Sequence, residues 1–299
     1  QCECERGYFG QYHNCTPCAF NTFKSSVGSE ACTSCPSFSS TKLDTRTNFL
    51  DCYCNPGFEG VNASMCTACP ANTYKTTLGD HKCSACPLHT VSPPGSKRLT
   101  DCVCKPGYFS IKGPGLACDQ CPEYTWKNFT GSERCNSCPA NTRSPSGSLN
   151  LSDCVCLKGY YGPDGQACSA CSLGSYKSEV GSGPCLSCPN ANMTSPAGSL
   201  DREECVCNAG YQMTKDGTCI ACPAGKYKES EGSDDCVDCF AHSNTSLPGS
   251  TSPFQCTCDN GYEPLRVGIS CQNIDECMAG THNCAVSAQC FDTPGGFYC

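Results

Sequence analysis

Pairs of cysteines separated by one residue punctuate this 299-residue chain at Cys2/Cys4, Cys52/Cys54, Cys102/Cys104, Cys154/Cys156, Cys205/Cys207 and Cys256/Cys258, at intervals of 50, 50, 52, 51 and 51 residues. A fixed period of this length marks a tandem repeat. Each period also holds two Cys-x-x-Cys pairs, such as Cys15/Cys18 and Cys32/Cys35, and the 13-residue gap between Cys18 and Cys32 is kept in all five complete units. With 37 cysteines in total, the chain has the density of a disulfide scaffold, which requires an oxidising compartment. Asn-x-Ser/Thr sequons at Asn14, Asn62, Asn128, Asn150, Asn192 and Asn244 agree with that placement. Each is an expected glycan attachment site on a secretory route.

Other classes fall away on composition. There are 29 Gly, 21 Pro, 4 Met and a single Trp, and no long apolar run. A chain that cannot bury much apolar surface turns to covalent cross-links. No stretch approaches the roughly 20 apolar residues of a membrane span, so no membrane contact is expected in this segment. The net charge of −8 comes from scattered acids without a Lys/Arg cluster, whereas a nucleic-acid partner needs a basic stripe. The chain opens Gln1-Cys2 with no initiator Met or leader, so a start further upstream is expected.

Three more features keep step with the cysteines. Every Cys-x-Cys is followed by x-x-Gly-aromatic: Gly7-Tyr8, Gly57-Phe58, Gly107-Tyr108, Gly159-Tyr160, Gly210-Tyr211 and Gly261-Tyr262. Glycine suits a backbone position with positive φ, and the ring can cover a disulfide in place of a core. Each 13-residue gap contains aromatic-Lys, at Phe23-Lys24, Tyr74-Lys75, Trp126-Lys127, Tyr176-Lys177 and Tyr227-Lys228, with a glycine four residues on. This predicts a short strand followed by a turn, and makes Trp126 a repeat aromatic. A Ser-Pro-x-Gly-Ser turn recurs at Ser92–Ser96, Ser144–Ser148 and Ser195–Ser199, with a variant at Ser246–Ser250.

The spacing Cys-x2-Cys-x13-Cys-x2-Cys followed by Cys-x-Cys-x2-Gly-Tyr resembles the ephrin-receptor-like cysteine-rich repeat, which also occurs in signal peptide–CUB–EGF proteins and in large protist surface proteins, including mastigoneme-like ones. The resemblance covers nearly the whole chain. It implies a small disulfide-rich fold of tandem EGF-like modules built from short β-hairpins, with little helix. The implied layout is a partial module over 1–17, repeats over 18–68, 69–120, 121–170, 171–221 and 222–272, and an incomplete module over 273–299. Only two residues, such as Thr67-Ala68 or Asp119-Gln120, separate successive modules, so an extended rod is expected.

The EGF pattern, carried over by that resemblance, pairs first with third, second with fourth and fifth with sixth cysteine. It gives Cys18–Cys35, Cys32–Cys52 and Cys54–Cys66, then Cys69–Cys86, Cys83–Cys102 and Cys104–Cys118. It continues with Cys121–Cys138, Cys135–Cys154 and Cys156–Cys168, and with Cys171–Cys188, Cys185–Cys205 and Cys207–Cys219. The fifth repeat gives Cys222–Cys239, Cys236–Cys256 and Cys258–Cys271, and the end modules give Cys4–Cys15, Cys277–Cys290 and Cys284–Cys299. Cys2 alone is left over, with a partner expected upstream. A rival pattern resembling tumour-necrosis-factor-receptor modules gives Cys18–Cys32, Cys35–Cys54 and Cys52–Cys66, and sequence does not decide between them.

The last 27 residues change character. Asn273-Ile-Asp-Glu-Cys277 and the later run Cys290-Phe-Asp292-Thr-Pro-Gly-Gly-Phe297-Tyr-Cys299 resemble a calcium-binding EGF module. Calcium takes six to eight hard oxygens in flexible geometry. By the family pattern these come from the side chains of Asn273, Glu276 and Asp292 and the carbonyls of Ile274, Thr293 and Gly296. One bound Ca²⁺ is therefore expected, and Asp292 also fits the family pattern for β-hydroxylation.

No catalytic constellation emerges. The Cys-x-x-Cys pairs approach zinc-ribbon spacing, but the extra Cys-x-Cys in each period and the sequons argue for disulfides. Redox catalysis needs a poised thiolate on a thioredoxin-type scaffold. The five histidines, His13, His81, His89, His242 and His282, share no repeat position. The expectation is a non-enzymatic, secreted or cell-surface protein: a structural rod segment of a glycoprotein filament, matrix or flagellar surface hair. Its partners would be itself or other extracellular proteins. The alternatives are the spacer of a receptor or ligand ectodomain, or a calcium-dependent adhesion protein.

Overall fold

The computed structural model describes residues 3–11, 13–61, 65–266 and 269–299. Cys2 and the sequon residue Asn62 lie outside the described residues. The chain divides into two compact units, residues 1–155 with 164–166 and residues 156–163 with 167–299. Each is a succession of two-stranded sheets, 17 in all among the described residues. The one α-helical element described is the short turn Glu276–Ala279.

Residues 69–120 illustrate the period. Three antiparallel hairpins follow one another: Thr73–Tyr74 with Ser84–Ala85, Thr90–Val91 with Val103–Cys104, and Tyr108–Phe109 with Asp119–Gln120. The first two begin with the same local device. A proline follows the cysteine, the third residue after the cysteine takes the left-handed conformation (Asn72 at φ 66°, His89 at φ 60°), and the next hydroxyl donates back to the proline carbonyl. The Thr73 Oγ1–Pro70 O and Thr90 Oγ1–Pro87 O distances are 2.7 and 2.6 Å. This is a hydroxyl-stabilised turn that reverses the chain at once and needs no apolar core.

Strands of two residues bury almost nothing, and the interior shows it. Among the described residues, the buried apolar side chains other than Phe23 are all cysteines. The disulfides are the core.

Among the described residues the structure holds 18 disulfides, which follow neither expected pattern in full: Cys18–Cys32 agrees with the rival pattern and Cys54–Cys66 with the EGF one, while the other bonds of each repeat differ. From Cys4 to Cys271 consecutive cysteines pair, whereas the last module is crossed as expected, Cys277–Cys290 with Cys284–Cys299. Cys18–Cys32 and Cys35–Cys52 replace Cys18–Cys35 and Cys32–Cys52. Likewise Cys69–Cys83 and Cys86–Cys102 replace Cys69–Cys86 and Cys83–Cys102. Cys121–Cys135 and Cys138–Cys154 stand in place of Cys121–Cys138 and Cys135–Cys154. Cys171–Cys185 and Cys188–Cys205 stand in place of Cys171–Cys188 and Cys185–Cys205. Cys222–Cys236 and Cys239–Cys256 stand in place of Cys222–Cys239 and Cys236–Cys256. The fifth and sixth cysteines form Cys54–Cys66, Cys104–Cys118, Cys156–Cys168, Cys207–Cys219 and Cys258–Cys271, and the ends form Cys4–Cys15, Cys277–Cys290 and Cys284–Cys299.

The hairpins give the reason. Each tight reversal brings together the two cysteines that flank it, with Cα atoms 5.8 Å apart for both Cys18–Cys32 and Cys35–Cys52, within disulfide reach. In the strand Cys52–Cys54 the alternation of side chains puts Cys52 and Cys54 on the buried face and Tyr53 on the other. From that shared face Cys52 bonds back to Cys35 and Cys54 forward to Cys66. The rival bonds Cys35–Cys54 and Cys52–Cys66 would cross there.

Candidate metal centre and module joints

Where one hairpin set meets the next, the same joint recurs. Gly57 lies at φ 84°, and a Cβ there would sit 2.5 Å from the carbonyl oxygen of Gly95 in the following Ser-Pro-x-Gly-Ser turn. The two backbones touch, so only glycine fits. Gly107 meets Gly147, Gly159 meets Gly198, and Gly210 meets Gly249 in the same way. Across each joint the cysteine that opens the next module donates its N–H to the glycine carbonyl, as in Cys69 N to Gly57 O at 2.8 Å and Cys121 N to Gly107 O at 2.9 Å.

The lysine of each aromatic-Lys pair lies inside this joint. Lys24, Lys75, Lys127, Lys177 and Lys228 are all at most 4 % exposed. The Nζ of Lys127 donates to the carbonyls of Tyr108 (3.0 Å), Glu133 (3.0 Å) and Gly131. Lys75 Nζ donates to Phe58 O (2.7 Å), Cys54 O (3.4 Å) and Gly79 O. Lys24, Lys177 and Lys228 reach the equivalent carbonyls of Tyr8 and Gly28, Tyr160 and Gly181, and Tyr211 and Gly232. Burial pushes the Lys75 ammonium below the ordinary lysine range, an effect opposed by the nearby charges of Asp80 and Glu59, and it does the same to Lys127, opposed by Glu133. Sequence reasoning placed these lysines on a short strand and gave them no role. Their recurrence at one position in five repeats was the available signal.

A second recurrent device was also missed. The residue just before each Cys-x-Cys (Asp51, Asp101, Asp153, Glu204 or Gln255) folds back over a one-turn 3₁₀ helix and accepts backbone N–H groups at its start. Asp101 Oδ2 takes those of Lys97 and Arg98 at 2.8 Å, and Gln255 Oε1 those of Thr251 and Ser252 at 2.7 and 3.1 Å. The hydrogen bond from Leu200 N–H holds the Glu204 carboxyl below the usual carboxylate range.

The last joint is different. Gly261 again approaches a glycine backbone, that of Gly295, and Ile274 N donates to Gly261 O at 2.9 Å. None of the five repeat lysines serves this joint. The strand Ser270–Asn273 instead delivers Asn273, whose Nδ2 donates to Asp292 Oδ2 at 2.9 Å and whose Oδ1 accepts from Gly295 N. Asp292 lies on the hairpin Phe291–Thr293/Gly296–Tyr298, within which Thr293 and Gly296 are paired. The turn Glu276–Ala279 packs on both strands of that hairpin. Its first residue, Glu276, is 9 % exposed, and its Oε2 has no hydrogen-bond partner. An interior carboxylate oxygen left without a donor is costly. Asn273 and Asp292 thus meet in the structure, an amide and a carboxylate of the oxygen-bearing kind that calcium takes.

A His/Cys/Cys group, His282, Cys284 and Cys290, has its ligand atoms within 4.8 Å of one another. That spacing suits a metal ion, yet both sulfurs are engaged in disulfides and offer no thiolate. Three of the histidines pack on rings: His89 on Tyr108 and His242 on Tyr262 at 4.2 and 4.0 Å between centroids, and His282 edge-on to Phe297. Asn14, Asn128, Asn150 and Asn244 are exposed, and Asn192 is half-buried. No described helix is long and apolar enough to cross a membrane.

Comparison with known proteins agrees with this architecture. The model of the tyrosine-protein kinase ephrin type A/B receptor-like family matches residues 7–52, 159–205 and 210–256, and the ELAPOR1-like, TNF receptor-like model matches 53–95. Neither is a catalytic module. Cysteine repeat modular protein A of Toxoplasma gondii is 28 % identical over 54 % of the chain and 6 % of its own length. The Sushi, von Willebrand factor type A, EGF and pentraxin domain-containing protein 1 of Mus musculus is 40 % identical over 29 % of the chain and 3 % of its own length. The signal peptide, CUB and EGF-like domain-containing protein 2 of Danio rerio is 32 % identical over 33 % of the chain and 11 % of its own length. The chain thus spans only a small part of each of these relatives. It is a tandem cysteine-rich modular protein of the extracellular space or cell surface, with repeats similar to ephrin-receptor-like and TNF-receptor-like modules.

Proposed function

We propose that this array is a structural rod segment of an extracellular glycoprotein, built into a filament, matrix or flagellar surface hair, with one calcium ion at its last module. The observation that carries the reading is the repeated joint. The same glycine-to-glycine approach recurs from Gly57 to Gly261, with a cysteine N–H on the glycine carbonyl from Gly57 to Gly210 and the Ile274 N–H at Gly261, which is the geometry of a spacer made by repetition. The working modules are 18–68, 69–120, 121–170, 171–221, 222–272 and 273–299. Glycans on Asn14, Asn62, Asn128, Asn150, Asn192 and Asn244 cover part of the surface, and other copies or other extracellular proteins occupy the rest.

At the last joint the side chains of Asn273, Glu276 and Asp292, with the carbonyls of Ile274, Thr293 and Gly296, would hold the ion. The partnerless Oε2 of Glu276 supports this assignment. Bound calcium supplies a multivalent centre that draws these segments together and stiffens the link between Cys271 and Cys277. A second reading, the spacer of a receptor or ligand ectodomain, takes its support from the receptor-like models matched by four stretches of the chain.

Solution scattering on the glycosylated chain tests the shape. A compact globule of this length has a radius of gyration of roughly 19 Å, and a rod lies well above it; a value near 19 Å ends the structural reading. Electron microscopy of the same sample separates the two functions, since lateral or end-to-end assembly favours the filament and monodisperse single particles favour the ectodomain. Calorimetric titration should show one calcium bound per chain, and none after Asp292→Ala.

A further inference from the structure

We infer that the five buried lysines are resident cations that clasp each module to the one before it, making those five joints independent of any added ion. Each ammonium bridges two modules. Lys127 belongs to the module that opens at Cys121, but its Nζ reaches back to Tyr108 O of the preceding hairpin and across to Gly131 O and Glu133 O of its own. The backbone closes the same ring: Gly107 N donates to Lys127 O at 2.9 Å, Gly131 N to Cys104 O at 2.8 Å, and Lys127 N to Ser148 O at 3.1 Å. Equivalent rings surround Lys24, Lys75, Lys177 and Lys228.

The hydrogen bonds of the Lys75 and Lys127 ammonium groups go to main-chain carbonyls, and Lys127 Nζ also lies 5.0 Å from the centre of the Phe129 ring, an arrangement that holds a cation by dipoles rather than by an ion pair. A lysine ammonium has three N–H donors, and at Lys75 and Lys127 three carbonyls meet them. Methionine has nearly the same reach but would leave those interior carbonyls without a donor. Arginine's planar fork does not reproduce a three-way convergence on one nitrogen.

The inference does not depend on calcium, and two measurements test it. The first uses the unaltered chain: brief amine acylation in native buffer, read by mass spectrometry. Lys42, Lys82, Lys97, Lys105, Lys112, Lys158, Lys215 and Lys226 should react, while Lys24, Lys75, Lys127, Lys177 and Lys228 should be protected at least tenfold, with chelator present or absent. Equal labelling of both sets overturns the clasp. The second compares Lys127→Met with the exposed control Lys112→Met by hydrogen exchange, after mass analysis shows all disulfides formed. At least tenfold faster exchange at the Gly107 and Gly131 amides, with the Gly57 and Gly159 amides unchanged, is expected of Lys127→Met alone. Unchanged exchange at Gly107 and Gly131 would show that the ammonium does not hold the joint.

Discussion

The cap before each Cys-x-Cys shows how one side chain organises a loop that has no core. Its oxygen satisfies N–H groups at the start of a single 3₁₀ turn, where no intrahelical partner exists. Asp101→Ala should cost about 1 kcal/mol locally, roughly a fivefold rise in exchange at the Lys97 and Arg98 amides. The Glu204 cap carries a pH signature. Its carboxyl is held below the usual range by the Leu200 N–H bond, so the folded state prefers the ionised form. The stabilisation is then complete above the ordinary carboxylate range and disappears as pH falls through the lowered value. Amide exchange at Leu200 should rise on acidification, whereas Thr251 and Ser252, bonded to the uncharged Gln255, should show no such titration. Neither the caps nor the lysine clasps were legible beforehand, for different reasons. The cap residue varies between Asp, Glu and Gln, so its recurrence is visible only by role. The lysine does recur, but a cation is assigned to the surface until the carbonyls that enclose it can be seen.

At the scale of elements, the period, the short hairpins and the glycine turns were readable because each rests on local chemistry. Gly57 needs positive φ, Ser92–Ser96 is a turn by composition, and the Cys-x-Cys strand alternates faces. Disulfide pairing was not readable, because Cys-x-x-Cys and Cys-x-Cys spacings are compatible with three patterns. What decides is the tight reversal after each cysteine, and its key residue is not a glycine in the early repeats but Asn21, Phe38, Asn72, His89 or Tyr124 in the left-handed conformation. At the candidate metal centre, Asn273 and Asp292 were named together from sequence and are hydrogen-bonded in the structure. The interior position of Glu276 was not foreseen. The glycine contacts can be tested in pairs. At Gly107 a Cβ would lie 2.7 Å from Gly147 O, while at Gly113, also with positive φ, it meets nothing within 4 Å. Both alanine variants incur the left-handed penalty of roughly 1–2 kcal/mol, so Gly107→Ala should loosen its joint markedly more than Gly113→Ala, as read by limited proteolysis near residue 107.

Across the whole molecule, the burial of lysines changes how it presents itself. Among the described residues five of the 20 basic side chains are interior, against one, Glu276, of the 28 acidic ones. The outer surface is therefore more acidic than the net charge of −8 implies, and binding to polyanions is disfavoured further. Removal of calcium should act on one place in this array: a chelator should speed exchange at the Ile274 amide, bonded to Gly261 O, and leave the Cys69 and Cys121 amides untouched. Uniform effects along the chain would contradict a single site. The consecutive bonding of the cysteines bears finally on how such a protein is made. Every bond joins residues 11 to 17 apart, and up to Cys271 each loop can be sealed as soon as its second cysteine enters an oxidising lumen, before the next pair has been synthesised; only Cys277–Cys290 and Cys284–Cys299 interleave among the described bonds. Crossed bonding would force early thiols to wait for later partners. Biosynthesis can thus proceed by closing stitches in order. Repeats can be gained or lost between generations without leaving an orphaned thiol, and chains arrested in translocation before Cys277 should carry only completed nearest-neighbour bonds.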